Sequence, residues 1–291
     1  MRAVKENAWG KINLFLDVVE KRADGYHGIK SIMHAVGLSD VITVSTVESR
    51  ERAIRLYIVG EDMLPTGNKN LAYKAAELYL LRAGINAKVR INIEKHIPVS
   101  AGLAGGSTDA AATLRALNRI YGHFTDKALL ELSAELGSDV PFCLVGGTAI
   151  CEGRGEIITR LPTPRRAHLV IAISDERVST PWAYGALDAL YSDFEGTRAP
   201  DGSLVSRQIA AIENGAIDSE ALYNIFEDVI LPEFPGARGL KSRLLTLGAR
   251  SALMSGSGPS VFGIFDTPES AKVAADALRG EGIRAYVITS A

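Results

Sequence analysis

The segment PVSAGLAGGSTDAAATLRALN, at positions 98–118, constrains the fold of this 291-residue chain more than any other. It is a loop of small residues that leads directly into a helix, which is predicted to begin near Ser107 or Thr108. Glycine permits positive φ and lets the backbone approach a ligand closely. The first helical turn leaves N–H groups unpaired at the positive end of the helix dipole. The segment therefore predicts an anion cradle, with a nucleoside triphosphate as its expected occupant.

The same letters also fit a plain turn with Ser107 as the N-cap, in which Thr108 or Asp109 supports the first turn. The loop is longer than a cap requires, and this favours the phosphate interpretation. It does not match the P-loop pattern, which requires a Lys beside Ser107, nor GxGxxG, because its glycines fall as GxxGG. The pattern indicates phosphate binding without selecting a superfamily.

Composition narrows the classes of partner. The chain has 32 basic and 34 acidic residues and a formal net charge of -2, so charge gives no reason to expect a nucleic-acid or anionic-membrane partner. Cys143 and Cys151 form no CxxC pair and are predicted to be buried thiols rather than zinc ligands or a disulfide. Neither a signal-peptide core nor a run of membrane-spanning length is visible, and a cytoplasmic location is expected.

Hydrophobic periodicity predicts a mixed α+β or α/β protein without strict βαβ alternation. Strand patterns occur at 12–18, 41–47, 54–58, 89–93, 169–173, 261–265 and 285–288. Helical patterns occur at 71–83, 108–119, 127–136, 182–191, 204–211, 236–247 and 269–279. The turn-rich segment 160–166 is the best candidate for a domain boundary, and 193–202 is predicted to be a second loop.

Two patterns near the N-terminus have both a structural and a functional interpretation. Lys11 and Asn13 share one face of a predicted strand, and taken alone they fit an ordinary solvated face. The loop DGYHG at 24–28 places Tyr26 beside His27. That pair suits stacking on and reading the edge of a nucleobase or sugar, and an exposed turn explains it equally well.

Two later patterns have the same ambiguity. Asp139, two residues before Pro141, fits a helix N-cap, which is the favoured interpretation for the residue alone. A carboxylate on such a turn could also accept a proton from a substrate hydroxyl. The loop MSGSGPSVF at 254–262 runs into a strand. It fits either a simple turn or a close approach of backbone to phosphate or to the first glycine loop.

Together and in this order, these segments resemble the GHMP kinase superfamily, which includes galactokinase, homoserine kinase and mevalonate kinase. The resemblance rests on a Lys-containing strand at 11–16, a PxxxGLGSSAA-like loop at 98–112 and a C-terminal glycine loop at 254–262. Within the superfamily, AWGKINLFLDVVEKRADGYHGIKSIMHAV and GLAGGSTDAAATLRALN are similar to the kinases that act on 4-diphosphocytidyl-2-C-methyl-D-erythritol in the non-mevalonate isoprenoid pathway. Other GHMP kinases lack the GYH loop.

The resemblance implies an α+β, two-domain GHMP kinase architecture. A ribosomal-protein-S5-like N-terminal domain with the ATP phosphate-binding loop would span 1–160, and a ferredoxin-like α+β domain would span 161–291, with the site in the cleft between them. The implied partners are ATP and the cytidine-bearing alcohol, and neither nucleic acid nor membrane is among them. The chain would act in a bacterial cytoplasm as a monomer or homodimer.

The resemblance also implies roles for single residues. Asp139 would take the proton from the C2 hydroxyl, and Lys11 would hold Asp139 ionised and stabilise charge on the moving phosphoryl group. Asn13 would help to position the hydroxyl. ATP would donate the phosphoryl group with Mg²⁺, and the hydroxyls of Ser107 and Thr108 would lie near phosphate or metal.

The remaining site residues fall into an ATP set and a substrate set. The implied ATP set is Asn70, Leu71, Lys95, Pro98, Ser100, Gly102, Leu103, Ala104, Gly105, Gly106, Ser107 and Thr108. The implied substrate set is Tyr26, His27, Thr180, Tyr184, Gly256, Ser257 and Gly258, in which Tyr184 is a stacking face opposite Tyr26 and His27. Ala104 replaces a glycine of the family loop, and a negative φ is expected there because alanine tolerates positive φ poorly.

Two alternatives remain open from the sequence. The same machinery could serve another small alcohol, such as homoserine or mevalonate, although neither needs a nucleobase clamp. The chain could also be a non-catalytic nucleotide-binding module on the same scaffold, although the presence of both Lys11 and Asp139 argues against this.

Overall fold

The computed structural model describes residues 1–164, 167–191, 193–194 and 196–288. The strands are β1 (Arg2–Lys21), β2 (His27–Glu48), β3 (Ala53–Val59), β4 (Ala87–Glu94), β5 (Thr148–Glu152), β6 (Ile157–Leu161), β7 (His168–Ile173), β8 (Tyr223–Asn224), β9 (Ser251–Met254), β10 (Val261–Phe265) and β11 (Arg284–Ile288). The helices are α1 (Leu71–Arg82), α2 (Gly105–Tyr121), α3 (Asp126–Ala134), α4 (Val140–Val145), α5 (Thr180–Leu190), α6 (Leu204–Glu213), α7 (Glu227–Glu233), α8 (Pro235–Thr246) and α9 (Pro268–Gly280). The predicted α+β class is confirmed.

One compact unit consists of residues 1–10, 38–98 and 104–146. Its strands follow the order β3-β4-β2-β1, in which β3 runs parallel to β4 and β2 runs antiparallel to it. Helix α2 packs against α1 and α4, and its alanine-rich sequence is buried along most of its length. Small side chains permit this close packing, which fixes the start of α2 relative to its neighbours.

The other unit consists of residues 11–37, 99–103 and 147 onward. Here β5 pairs with β2 and with β6, and the short strand β8 runs parallel to β1. A separate antiparallel sheet has the order β11-β7-β10-β9, and α9 packs on it. The strands β7 and β10 are almost entirely buried, as expected for apolar runs at the centre of a covered sheet.

Strands and helices with continuous apolar patterns match their predictions within a few residues, for example 261–265 for β10 and 71–82 for α1. Strands β1 and β2 are much longer than the predicted 12–18 and 41–47. Their buried faces include polar side chains, and these interrupt the apolar pattern. The strands β5, β6, β8 and β9 and the helix α7 were not predicted. Helix α4 was indicated only by the N-cap interpretation of Asp139.

The two compact units are interleaved along the chain, whereas the division into 1–160 and 161–291 is contiguous and stays a prediction. Positions 165 and 166 of the predicted boundary, and position 195 of the predicted loop, lie outside the described residues. None of the helices in the described ranges is long and apolar enough to cross a membrane.

Candidate active site

The phosphate-binding loop reaches its helix earlier than predicted. Helix α2 begins at Gly105, and its N-cap position is Ala104, where no side chain caps the helix. The alternative with Ser107 as N-cap is therefore wrong, since Ser107 lies inside the first turn. Gly105 and Gly106 are helical, so their small size serves close packing rather than positive φ.

The expectation of negative φ at Ala104 is also wrong. Ala104 has φ +59° and Ser100 has φ +57°, both in the left-handed region, as does Gly102 at +73°. A left-handed conformation costs a non-glycine residue roughly 1–2 kcal/mol, and such conformations are concentrated at functional sites. An alanine in the left-handed conformation thus occupies the N-cap position. No side chain caps the N–H groups of the first turn of α2.

Replacing Ala104 by glycine should stabilise the protein. Removing the left-handed penalty, roughly 1–2 kcal/mol, outweighs the added freedom of the unfolded chain, about 0.4–1 kcal/mol. We expect Ala104→Gly to raise the free energy of unfolding in urea by up to about 1 kcal/mol. The control Ala128→Gly, inside α3, should lower it by about 1 kcal/mol. Equal losses in both variants would contradict this account.

A buried ion cluster lies beside the first turn of α2. The Lys95 ammonium contacts Asp40 Oδ2 at 2.5 Å and Asp109 Oδ2 at 2.9 Å. Asp40 Oδ1 also accepts from the backbone N–H groups of His96 and Ile97. A Cβ on Gly105 would lie 3.3 Å from the Lys95 nitrogen. Lys95 was predicted to line the adenine and ribose side of the ATP site. In the structure it links the end of strand β4 to the first turns of α2.

Charge in this cluster is unbalanced because two carboxylates share one ammonium. Burial is the largest cause of a raised pKa at Asp109, Lys95 opposes it and the Asp40 carboxylate adds to it, and together they bring the pKa to about 7. Burial alone would lower the pKa of Lys95, but the two carboxylates hold it above its ordinary value. Asp109 Oδ1 is buried without a hydrogen-bond partner among the described residues, as expected for a carboxylate that shares its ammonium.

This cluster predicts a pH dependence of stability. Folding raises the pKa of Asp109 from 3.8 to about 7, so between these values the native chain holds a proton that the unfolded chain has released. The free energy of unfolding should therefore fall as the pH rises through this window. Asp109→Asn should remove that part of the slope in urea titrations, whereas Asp126→Asn, at the exposed start of α3, should keep it. An unchanged slope in Asp109→Asn would contradict the prediction.

Asn70 and Leu71 lie at the start of α1, next to the same turn of α2. A Cβ on Gly106 would lie 3.7 Å from Leu71 Cδ1. The Asn70 side chain accepts from Ala72 N at 2.9 Å, which caps α1, and donates to the Pro65 carbonyl at 3.0 Å. The structure therefore brings these predicted ATP residues together, with the Asn70 amide already engaged in local structure.

Asp139 occupies the N-cap position of α4, but its side chain makes no capping hydrogen bond. The cap interpretation, which was favoured from the sequence, therefore does not explain this carboxylate. Helix α4 packs against α2, and Arg115 of α2 donates to the Cys143 carbonyl of α4 at 2.8 Å. Asp139 is thus held at the end of a short, fixed helix.

In the other unit, Lys11 and Asn13 lie in the core rather than on a solvated face, so that interpretation is wrong. Lys11 is 3% exposed and Asn13 is 1% exposed. The Lys11 ammonium donates to Asn13 Oδ1 at 2.8 Å, and Asn13 Nδ2 donates to Ser31 Oγ at 2.8 Å. Ser31 in turn donates to the Phe15 carbonyl at 2.8 Å. This chain of bonds fixes both the ammonium and the amide.

The C-terminal glycine loop packs on the N-terminal part of the phosphate loop. Ser255 Oγ donates to the Gly102 carbonyl at 3.0 Å, and Ser260 Oγ donates to the Ala101 carbonyl. A Cβ on Gly102 would lie 2.1 Å from the Ser255 carbonyl oxygen, so only glycine fits there. Lys11 N also donates to the Leu103 carbonyl at 3.1 Å.

The loop ends near the predicted substrate residues. The Thr180 and Ser257 hydroxyls lie 2.9 Å apart, so these two residues meet as predicted. Gly256 and Gly258 both have positive φ, which explains glycine at these positions.

The predicted cytidine residues are partly brought together. The His27 ring stacks directly on Tyr184, with centroids 4.8 Å apart and a 24° interplanar angle. His27 Nε2 lies 2.8 Å from Asp188 Oδ1, and Lys21 binds the other oxygen of that carboxylate at 2.7 Å. Tyr26 is 55% exposed and its ring faces the Arg154 guanidinium. The structure thus pairs Tyr184 with His27 in direct contact and places Tyr26 beside Arg154.

Sequence reasoning missed the partners of these residues. Asp40 and Asp188 lie far along the chain from Lys95 and His27, and no short motif marks either of them. Within the described ranges, no group of three or more His, Cys, Asp or Glu side chains could hold a metal ion.

Comparison with known proteins gives two family matches. The family described as GHMP kinases N terminal domain matches residues 70–147, and the family described as GHMP kinases C terminal matches residues 203–284.

Individual proteins match over nearly the whole chain. A 4-diphosphocytidyl-2-C-methyl-D-erythritol kinase of Caldicellulosiruptor saccharolyticus is 44% identical over 94% of this chain and 91% of its own length. Another kinase of that name, from Exiguobacterium sibiricum, is 42% identical over 96% of this chain and 94% of its own. A crystal structure of 4-(cytidine 5'-diphospho)-2C-methyl-D-erythritol kinase has a TM-score of 0.81 at 36% identity. The match covers 99% of this chain and 100% of the chain in that structure.

Proposed function

The chain belongs to the GHMP kinases and, within them, to the 4-diphosphocytidyl-2-C-methyl-D-erythritol kinases, and we infer that it transfers the γ-phosphoryl group of ATP to the 2-hydroxyl of that alcohol. The products would be the 2-phosphate and ADP, in the non-mevalonate route to isoprenoid precursors. The observation that carries this function is the identity of 44% over 94% of the chain to a kinase of that name.

We propose that Asp139 accepts the hydroxyl proton. The C2 oxygen then bonds to the γ-phosphorus as the bond from that phosphorus to the ADP oxygen breaks. Asp139 is suited to this role because α4, which packs on α2, holds its carboxylate at a fixed position. A positioned base of this kind contributes about 10²–10⁴-fold to rate.

Lys11 is proposed to stabilise the charge that develops on the transferred phosphoryl group, and Asn13 to orient the hydroxyl. Both side chains are buried and hydrogen-bonded in a fixed order. Such preorganised donors need no rearrangement during the reaction, which is the main source of electrostatic catalysis. The uncapped first turn of α2, from Gly105 to Thr108, would receive the triphosphate.

Mg²⁺ is proposed to accompany ATP, and the residues present fit it. Mg²⁺ in kinase sites takes most of its ligands from phosphate oxygens and water, with one or two protein oxygens. Ser107 is half-buried in the first turn of α2, and the Thr108 hydroxyl donates to the Gly105 carbonyl at 2.7 Å, which leaves its lone pairs as acceptors. When bound, the ion would neutralise phosphate charge.

The cytidine end is proposed to bind at His27, Tyr26 and Tyr184. Because a carboxylate can only accept, His27 Nε2 donates to Asp188, and Nδ1, on the other side of the ring, is the atom proposed to face an amine on the base. Hydrogen bonds from Lys21 and His27 lower the pKa of Asp188, although partial burial alone would raise it. The exposed ring of Tyr26 supplies a stacking surface.

Further partners and location are part of this proposal. Cys143 and Cys151 are buried, which suits a reducing bacterial cytoplasm. The net charge of -2 gives no electrostatic support for a nucleic-acid partner. We expect a monomer or homodimer, which light scattering would distinguish.

Substrate specificity tests the proposal. Purified protein is incubated with labelled ATP, Mg²⁺ and one of three alcohols: the cytidine substrate, homoserine or mevalonate. We expect kcat/KM for the cytidine substrate to exceed the other two by at least about 10³-fold, because neither small alcohol can use the nucleobase residues. Preferential phosphorylation of homoserine or mevalonate would contradict the assignment. ATP binding with no transfer to any of the three alcohols would favour a non-catalytic module.

A further inference from the structure

The C-terminal glycine loop forms one wall of the space around the Lys11 ammonium. A Cβ on Gly256 would lie 3.3 Å from Lys11 Nζ and 3.2 Å from the Gly102 carbonyl oxygen, and Gly256 itself has φ +58°. The Lys11 ammonium therefore lies beside Gly256, at a distance where even a methyl group on Gly256 would crowd it. A small movement of Gly256 would change the space in which the ammonium sits.

Asn224 holds this part of the loop from the opposite side. Its Nδ2 donates to the carbonyls of Met254 and Gly256, both at 2.8 Å, and its Oδ1 accepts from Phe226 N at 3.0 Å. The side chain is 2% exposed. Both amide hydrogens are thus used on two carbonyls that flank Ser255, the residue that contacts Gly102.

Strand β8 connects Asn224 to the strand that carries Lys11. Asn224 is the last residue of β8 and pairs with Leu16 of β1, five positions after Lys11. Ile225 N also donates to the Leu16 carbonyl at 3.0 Å. The amide therefore joins the glycine loop to the strand whose ammonium the loop encloses.

Glu227 supplies a second anchor at the start of the same loop. Its Oε1 accepts from Met254 N at 2.9 Å, and its other oxygen pairs with Lys241. The peptide groups on both sides of the Met254 Cα are thus bound by side chains from one short segment, 224–227. We call Asn224 and Glu227 together the loop clamp.

We propose that Asn224 is a positioning residue for Lys11 and acts through Gly256. This rests on the proposed function, which gives Lys11 its role in phosphoryl transfer. Without the amide, two buried carbonyls lose their donor, and an unsatisfied buried group is costly enough to make the loop move. A shifted Gly256 changes the space on one side of the ammonium, whose other side Asn13 holds, and the ammonium then no longer matches the transferred group.

Two variants test the inference. Asn224→Asp keeps the shape of the side chain and the acceptor for Phe226 N and removes both donors to the loop. Asn224→Ser shortens the side chain and leaves at most one hydroxyl donor for the two carbonyls. We expect kcat to fall by about 10–100-fold, the size expected for a displacement near 1 Å. The KM for the cytidine substrate should change less than kcat, because the His27, Tyr184 and Asp188 contacts do not involve the clamp.

Gln208→Leu is the matched control. Gln208 is a fully buried amide in α6 of the same compact unit, and neither of its polar atoms has a hydrogen-bond partner among the described residues. Its loss should leave kcat unchanged. A normal kcat in folded Asn224→Asp and Asn224→Ser would overturn the proposal, as would an equal loss of kcat in Gln208→Leu.

If neither Asn224 variant folds, Gly256→Ala tests the same contact from the other side. Its Cβ would press on Lys11 and Gly102, so kcat should fall by a larger factor than the KM for the cytidine substrate rises. Normal kcat there would overturn the inference, because Gly256 is the residue proposed to transmit the effect.

A second readout does not depend on activity. It distinguishes failure of the proposed function from failure of the loop clamp. Lys11 acetylation by acetic anhydride and amide exchange at 255–258 are followed by mass spectrometry. Both should be faster in Asn224→Ser than in wild type and Gln208→Leu. If the wild type phosphorylates no alcohol but these rates rise, the proposed function fails and the clamp stands. Unchanged rates overturn the clamp.

Discussion

Asp139→Asn is expected to lower kcat by about 10³-fold while the Kd for ATP changes by less than about threefold. Asparagine keeps the shape of the side chain but cannot accept the hydroxyl proton. Because asparagine has almost the same size and shape as aspartate, thermal stability should change far less than kcat. Single-turnover kinetics and calorimetric ATP titration give the two numbers.

Asp126→Asn provides the control for this substitution. Asp126 is an exposed aspartate in the first turn of α3, within the same compact unit, and its variant should keep full activity. If Asp139→Asn keeps more than about a tenth of wild-type kcat, the carboxylate is not the base. If Asp139→Asn loses much stability but keeps a normal kcat, the Asp139 carboxylate has a structural role and not a catalytic one.

Lys11→Met should have the second-largest effect, a fall in kcat of about 10²–10³-fold. Methionine retains the length and burial of the side chain and removes only the charge and the donor. Asn13 Oδ1 then loses its bond from the ammonium, which should cost about 1–3 kcal/mol of stability. Kinetics are therefore measured well below the melting temperature of the variant.

Lys5→Met is the matched control, since Lys5 lies on the same strand β1 and is exposed. Its kcat and stability should equal those of wild type. If Lys11→Met loses stability but keeps its kcat, the buried ammonium serves the core and not the reaction.

The sequence predicts those parts of the fold in which local pattern and tertiary structure agree. The apolar run 261–265 became β10 with the predicted bounds, because a strand covered on both faces needs no polar partners. In β1, Asp17 is fully buried and binds Thr197 and the backbone of Arg198 and Ala199. Such a residue breaks the apolar pattern, and its partners lie too far along the chain to be inferred.

The same limit applies to the candidate site. Lys11, Asp139 and the predicted phosphate loop lie in local motifs that resemble a known family, and only this resemblance gives Lys11 and Asp139 a functional role. Asn224 and Glu227 carry no recognisable motif, and their contacts with the glycine loop follow only from the pairing of β8 with β1. Ala104 shows the reverse case, because the local rule against positive φ in alanine was overridden by the geometry that the helix start requires.

Identification of the phosphorylated product tests the central claim most directly. Wild-type protein is incubated with ATP, Mg²⁺ and 4-diphosphocytidyl-2-C-methyl-D-erythritol, and the mixture is followed by ³¹P and ¹³C NMR. The account predicts one new phosphomonoester, coupled to C2 of the erythritol, for each ADP formed. A phosphate at another hydroxyl, or ADP formed without a phosphorylated alcohol, would contradict it.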